Sequence, residues 1–204
     1  MRIQVCITTY NRPESLCDAI KSVIRQGIFD IDIIIRLNTR EGSTVRVGNY
    51  FKSAFDYDLQ VGLCDDMEML DGCLLNGIKC FSDNFPDLDG VVGFNQVNVP
   101  NGCPNAIGIV GRKFAERFPG RNIYCPDYHH FGVDAECMAY AESVGKFKFC
   151  EEAKIYHYHP ACSCRKPDDT HKSLRVLASN DHSIQEERKK RGLVWGKSFE
   201  RVTG

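Results

Sequence analysis

Apolar residues fall in short runs separated by polar turns, and the runs alternate between two periods. Arg2 to Tyr10 is short and rich in β-branched residues, which predicts a buried strand. Asn11, Arg12 and Pro13 then turn the chain, and Pro13 suits a first helical turn, where its missing N–H is not needed. Leu16, Ala19, Ile20, Val23 and Ile24 recur at helical spacing up to Gly27. Ile31 to Leu37 is nearly continuous in apolar residues, as a parallel strand covered on both faces would be. Strand, helix and strand in this order predict a right-handed βαβ unit opening an α/β domain.

Further along, residues 39–48 read as loop and Asn49 to Phe55 as a short helix. Leu59 to Cys64 predicts a third strand, Leu70 to Phe81 a helix and Val91 to Phe94 a fourth strand. Residues 98–104 read as loop, Ala106 to Val110 as strand and Arg112 to Arg117 as a short helix. An aromatic loop with Tyr124, Tyr128, His129, His130 and Phe131 precedes a helix over Asp134 to Val144, which Gly145 stops. Lys146 to Cys150 and Lys154 to His159 are expected as two late strands. The pattern therefore divides the chain into a domain over residues 1–160 and a C-terminal helical extension over 161–204, one or two amphipathic helices packed on the domain.

Composition narrows the class. With 204 residues, 43% of them hydrophobic and 26% charged, the chain can bury a real core. The net charge of -1 advertises neither nucleic acid nor membrane as a global partner. The tail is basic, however: 10 Lys and Arg against 6 Asp and Glu give it +4 and leave -5 for the rest. Its run Arg188-Lys189-Lys190-Arg191 reads either as contact with an anionic acceptor or as a solvated helix face paired with Glu186 and Glu187. No run of about 18 apolar residues exists, so no membrane span is expected, and the first residues read as a strand rather than a leader. Eleven cysteines without any CxxC pair read as core thiols of a reducing, cytoplasmic protein.

Three constellations carry chemistry. In Val61-Gly62-Leu63-Cys64-Asp65-Asp66-Met67-Glu68 an apolar strand runs straight into carboxylates. Ligands of open α/β sheets bind outside such strand ends. Adjacent carboxylates repel unless a cation or a proton intervenes, and hard oxygens favour Mg²⁺ or Mn²⁺. The plain alternative is a helix start, where acidic residues suit the dipole. The second constellation is Asp134 and Glu136 after the aromatic loop; Asp134 is either an N-cap or a base aimed into the cleft. Two residues apart on a helix they are about 200° apart, so both cannot face one cleft, and Glu136 is expected to brace the loop. The third is Ile155-Tyr156-His157-Tyr158-His159-Pro160, which puts both histidines on one strand face. They complete a metal shell, or sit as satisfied histidines, or join Cys162 and Cys164 in a structural zinc site.

Taken in order, ITTYNRPESLCDAIKSVIRQ, CDDMEM, NAIGIVGRKFAERF, FGVDAEC and IYHYHP resemble a family-2-type inverting glycosyltransferase with the GT-A fold, over Arg2 to Pro160. The resemblance implies a mostly parallel central sheet flanked by helices, and transfer of a sugar from a nucleotide-diphosphate sugar, UDP-sugar first among them, to an acceptor hydroxyl. It implies that Thr8, Tyr10 and Arg12 lie along the base and ribose, and that Asp65 serves ribose or water. It implies Asp66 as ligand of Mn²⁺ or Mg²⁺, His157 or His159 as a late metal ligand, and Asp134 as general base. Two departures stand out. Where such enzymes carry an acidic residue after the second strand, this chain has Asn38, an amide able to hydrogen-bond uracil. The acidic motif is CDDME, so Asp66-Met67-Glu68 is an alternative metal frame. Nucleotidyl transfer on a similar sheet is the competing chemistry, though TTYNRPES lacks the glycines of a phosphate loop; a non-catalytic nucleotide-sugar-binding module is the other alternative.

Overall fold

The computed structural model describes residues 1–28, 30–37, 57–99, 105–160 and 166–202. Asn38, the loop and helix expected over 39–55, and Cys103, Cys162 and Cys164 lie outside the described residues.

Strand β1 (Ile3–Thr9) is almost wholly buried, as its β-branched run requires. Asn11 takes a left-handed conformation (φ 52°), which Asn tolerates better than most residues, and Pro13 opens helix α1 (Pro13–Ile24). Strand β2 (Ile31–Leu37) pairs parallel to β1 in register Ile3 with Ile31, completing the expected βαβ unit. Strand β3 (Leu59–Cys64) pairs parallel to the other side of β1.

Beyond β3 the chain departs from the expectation of a loop or helix start. After only Asp65 and Asp66 it enters a three-residue strand, β4 (Met67–Met69). Next come helix α2 (Cys73–Asn84), strand β5 (Val91–Gln96), strand β6 (Asn105–Gly111) and the one-turn helix α3 (Arg112–Ala115). Helix α4 (Val133–Ser143), strand β7 (Phe147–His157) and helix α5 (Asp169–Lys190) complete the order. Beyond residue 166 the described tail holds a single helix.

The sheet order is β2-β1-β3-β6-β5-β7-β4. It is mixed rather than mostly parallel in its pairings: β6 runs antiparallel to β3 and β5, and β4 antiparallel to β7. Because β6 reverses between β3 and β5, the C-terminal ends of β1, β3, β5 and β7 nevertheless share one edge. Two residues span roughly 11 Å at most between the Cα atoms that flank them, so the sheet must curl to bring edge strand β4 beside the end of β3. Strand β7 is one element where two were expected. Its pairing with β5 skips from Cys150 to Lys154, and the charged Glu151-Glu152 at this irregularity interrupts the apolar pattern.

Two hydrophobic clusters result. One joins β1, β3 and β5 with α1 and α2; the other joins β6 with α3 and α4 and takes in Tyr128 and Trp195. Five of the eight described cysteines (Cys6, Cys73, Cys125, Cys137 and Cys150) are buried as core thiols. The tail's basic run is not one surface patch. Arg188 is 1% exposed and points inward, while Lys189 pairs with Glu186 on the surface and Arg191 with Glu200. That splits the basic stripe considered for an anionic acceptor.

The core generates a test at Phe94, which is 1% exposed. Its ring fills the space a side chain would need at both Gly108 and Gly77; a Cβ on Gly108 would lie 2.2 Å from it. Gly108→Ala should cost about 1–3 kcal/mol by overpacking. Urea denaturation measures it; an unchanged midpoint would mean the ring yields freely.

Candidate active site

The site forms where the shared edge of the sheet meets the seam at Asp65-Asp66. Both carboxylates are 6% exposed, and each is committed to named donors. Asp65 Oδ2 accepts from Thr9 Oγ1 at 2.7 Å and from the Tyr10 backbone N–H at 3.4 Å. Arg12 Nη1 donates to Asp65 Oδ1 at 3.0 Å and to Asp66 Oδ2 at 3.1 Å. The Arg12 Nε lies 3.1 Å from Asp168 Oδ2, close enough for an ion pair without an aligned hydrogen bond. Arg12 thus turns toward the acidic pair, and its side chain is only 10% exposed. Thr8 stands at the end of β1 with its hydroxyl 3.7 Å from the Cys64 thiol.

Burial acts on both carboxylates, with opposite outcomes. At Asp65 it raises the pKa against the hydrogen bond from Thr9 and the charge of Arg12. At Asp66 burial also pushes upward, but hydrogen bonds from His157 and His171 outweigh it and hold the group well below the usual carboxylate value. Asp66 is therefore the more acidic carboxylate of the pair.

His157 comes from the end of β7. Its Nε2 lies 3.3 Å from Asp66 Oδ1, and its Nδ1 lies 2.7 Å from Gln96 Oε1 at the end of β5. The contact with Gln96 fixes the ring and aims Nε2 at the Asp66 carboxylate, so an oxygen and a nitrogen able to ligate a metal stand side by side. The His159 ring lies tilted 5.3 Å from that of His157 and edge-on 5.1 Å from that of His171. Burial and the neighbouring His157 lower its pKa, which keeps a nitrogen lone pair available. Among the described residues, no group of three His, Cys, Asp or Glu side chains is gathered to hold a metal ion by itself.

His171 is a neighbour that the sequence reading missed. It stands in the first turn of α5, where Asp168 and His171 cap the helix reciprocally, and its Nε2 lies 3.7 Å from Asp66 Oδ2. The spacing Asp168-x-x-His171 is the only local signal for it.

Asp134 enters from α4. Gly132 at φ 82° turns the chain into the helix, which places Asp134 in its first turn. The residue is exposed at the surface while protein atoms crowd around its carboxylate. That crowding raises its pKa above 3.8, against the opposing hydrogen bonds of its own and the Ala135 backbone and the nearby charge of His157. Glu136 points elsewhere: it accepts from Arg188 Nη2 at 2.8 Å and from the Trp195 backbone N–H at 2.7 Å. His130, beside the same loop, is pushed down to about 4 by burial. Glu68 on β4 is bound to Arg25 and to the Tyr158 hydroxyl, facing α1 rather than Arg12.

No family model matches the chain, and no curated protein resembles it in sequence. Solved structures do resemble it. The mannosyltransferase PcManGT from Pyrobaculum calidifontis, solved with GDP-Man and Mn²⁺, superposes with a TM-score of 0.63 at 12% identity over 93% of this chain. The chain has a glycosyltransferase fold. Residues 1–349 of S. aureus TarS, solved with UDP-GlcNAc, give a TM-score of 0.56 at 12% identity over 88% of the chain. Longer TarS gives 0.53 at 11% identity. The chain spans 64% of PcManGT, 66% of the shorter TarS and 39% of the longer one.

Arg12 supplies the test of the acidic seam. Removing it leaves two buried carboxylates without their shared cation, and breaking a buried pair in this way costs about 3–5 kcal/mol. The loss in Arg12→Ala should be greatest at neutral pH, where both carboxylates are ionised, and should shrink as pH falls through the carboxylate range. Denaturation at pH 7 and pH 4 checks the sign; an equal loss at both would point to packing instead.

Proposed function

We propose that the chain is a metal-dependent inverting glycosyltransferase that moves a sugar from a nucleotide-diphosphate sugar, UDP-sugar in the first instance, to an acceptor hydroxyl. The observation that carries this is the pairing of an ionised Asp66 with the His157 imidazole at the sheet edge, with the raised carboxylate of Asp134 close enough to feel His157. The donor classes named with PcManGT and TarS, GDP-Man and UDP-GlcNAc, belong to the same chemical group.

The residues fit Mn²⁺ or Mg²⁺. Asp66 supplies a hard, ionised oxygen, and His157 supplies a nitrogen whose orientation Gln96 fixes. Two protein ligands suffice for such an ion when the substrate's phosphates provide the rest, and His159 is the alternative nitrogen. When bound, the ion neutralises charge that develops on the departing diphosphate.

The protein's own groups do the rest. Thr8 and Tyr10, at the end of β1, line the path of base and ribose, with Asn38 as the amide for uracil. Arg12 and Asp65 hold that strand end rigid. Asp134 accepts the proton of the acceptor hydroxyl as its oxygen attacks the anomeric carbon from the face opposite the leaving group, and one displacement inverts the configuration. A raised pKa suits a base that must hold this proton.

Two variants separate the roles. Asp66→Ala should lose the Mn²⁺-dependent thermal stabilisation by donor while the apo protein stays folded. Stabilisation by UDP-GlcNAc or GDP-mannose equal to wild type would remove Asp66 from the metal. Asp134→Asn should keep donor binding and lose about 10²–10⁴-fold in transfer, the usual worth of a general base. A base works only when deprotonated. The wild-type rate should therefore fall on the acid side, through a limb lying above the ordinary carboxylate value of 3.8, and Asp134→Asn should lack that limb. A persisting limb in Asp134→Asn would assign it to another group.

A further inference from the structure

Helix α5 reaches the loop ahead of Asp134 through one carboxylate. The Asp181 side chain has no exposed surface. Its Oδ1 accepts from the His129 backbone N–H at 2.8 Å and faces His129 Nδ1 at 3.2 Å. Its Oδ2 accepts from the backbone N–H groups of His130 and Phe131, both at 2.8 Å. Three successive backbone donors of an irregular loop thus converge on one side chain. A loop of this kind has no ladder to satisfy its N–H groups, so its course depends on the acceptor supplied to it.

The same helix fixes both flanks of that loop. Seven residues on, two turns later and hence on the same stripe, Arg188 donates to Asp127 Oδ2 at 2.9 Å and to Glu136 Oε1 at 2.8 Å. Gln185 lies between them, with its Nε2 3.3 Å from where a Cβ would sit on Gly132. Asp127, the 129–131 backbone and Glu136 are therefore all held by one helix, Gly132 lies beside it, and Asp134 lies inside that bracket. The rise of about 1.5 Å per residue carries the helix on to His171, beside Asp66.

We propose that Asp181 is a positioning residue for transfer. It fixes the backbone of residues 129–131 and, through Gly132, the direction from which the Asp134 carboxylate enters the cleft. The proposal rests on Asp134 being the base. Asp181 touches neither donor nor acceptor and exchanges no proton in the reaction. Its effect is on kcat, because a base displaced by about 1 Å loses as much as 10²-fold, whereas the metal and nucleotide contacts come from β1, β3 and β7.

The test uses the full chain with Mn²⁺ and either UDP-GlcNAc or GDP-mannose, reading release of the nucleoside diphosphate and, by calorimetry, donor affinity. Asp181→Ala should lose about 10–10²-fold in kcat with unchanged donor affinity. Asp181→Asn, which keeps the shape and one acceptor oxygen, should lose less. Amide hydrogen exchange at residues 129–131 should quicken in both variants while the strands stay protected. The double variant Asp134→Asn/Asp181→Ala should be no slower than Asp134→Asn, because a residue acting only through the base has nothing left to position. Losses that multiply in the double variant, or Asp181 variants with full kcat beside an impaired Asp134→Asn, would overturn the proposal and leave the base standing. Full activity in Asp134→Asn would overturn the base itself and the proposal with it. Should Asp181→Ala fail to fold, Asp181→Asn carries the same comparison.

Discussion

The chain crosses from the central strand β3 to the edge strand β4 in two residues, and both of those residues are aspartates. That short link forces the sheet to curl and brings the end of β7 beside the end of β3. It also buries two carboxylates side by side where water cannot separate them. Repulsion there has to be met locally, and Arg12, His157 and His171 arrive from three different parts of the chain to meet it. The Tyr158 backbone N–H donates to the Asp66 carbonyl, which ties the seam to β7 as well. Fold closure and site charge are the same event.

The C-terminal segment belongs to this arrangement rather than hanging from it. Among the described residues Arg188 is the largest fully buried side chain, and an arginine at that depth is tolerable only because Asp127 and Glu136 both meet it, with the Tyr128 ring 6.0 Å away. Trp195 and Val194 then join the second hydrophobic cluster. Among the described side chains of helix α5, His171, Asp181 and Arg188 hold it on the body by directed polar contacts, and Ile184 packs against the second hydrophobic cluster.

Local pattern made some of this legible. The β-branched run of β1, the Pro13 start of α1 and the Gly145 stop after α4 act through neighbours in sequence, and all three follow their elementary rules. Asp65, Asp66, Asp134 and His157 drew notice because each stands at the end of a strand or the start of a helix, although a helix start favours a carboxylate for its dipole as well. Strand β4 was hidden by Glu68 in its middle and by its three-residue length. The unity of β7 was hidden by the charged irregularity at Glu151-Glu152. His171, Asp181 and Arg188 were hidden for another reason: Asp66, the 129–131 backbone, and Asp127 with Glu136, which they respectively meet, lie 50 or more residues away, and no periodicity connects positions brought together only by tertiary packing. Arg188 was misleading as well as hidden, since three basic neighbours made it look like part of a solvated run. The even division of strand pairings came from β6 and β4 running against their neighbours, which nothing within their own residues could announce.

Trp195 is the only tryptophan of the chain. Its indole is 4% exposed, its Nε1 donates to the Asn122 carbonyl at 2.7 Å, and Phe199 stands edge-on 5.2 Å from it. Its own backbone N–H is bound to Glu136, two residues from Asp134. The protein therefore carries an intrinsic optical label at the joint between α4 and the tail. Its emission is free of competing indoles, and any event that loosens this joint registers as a red shift without a dye having been attached.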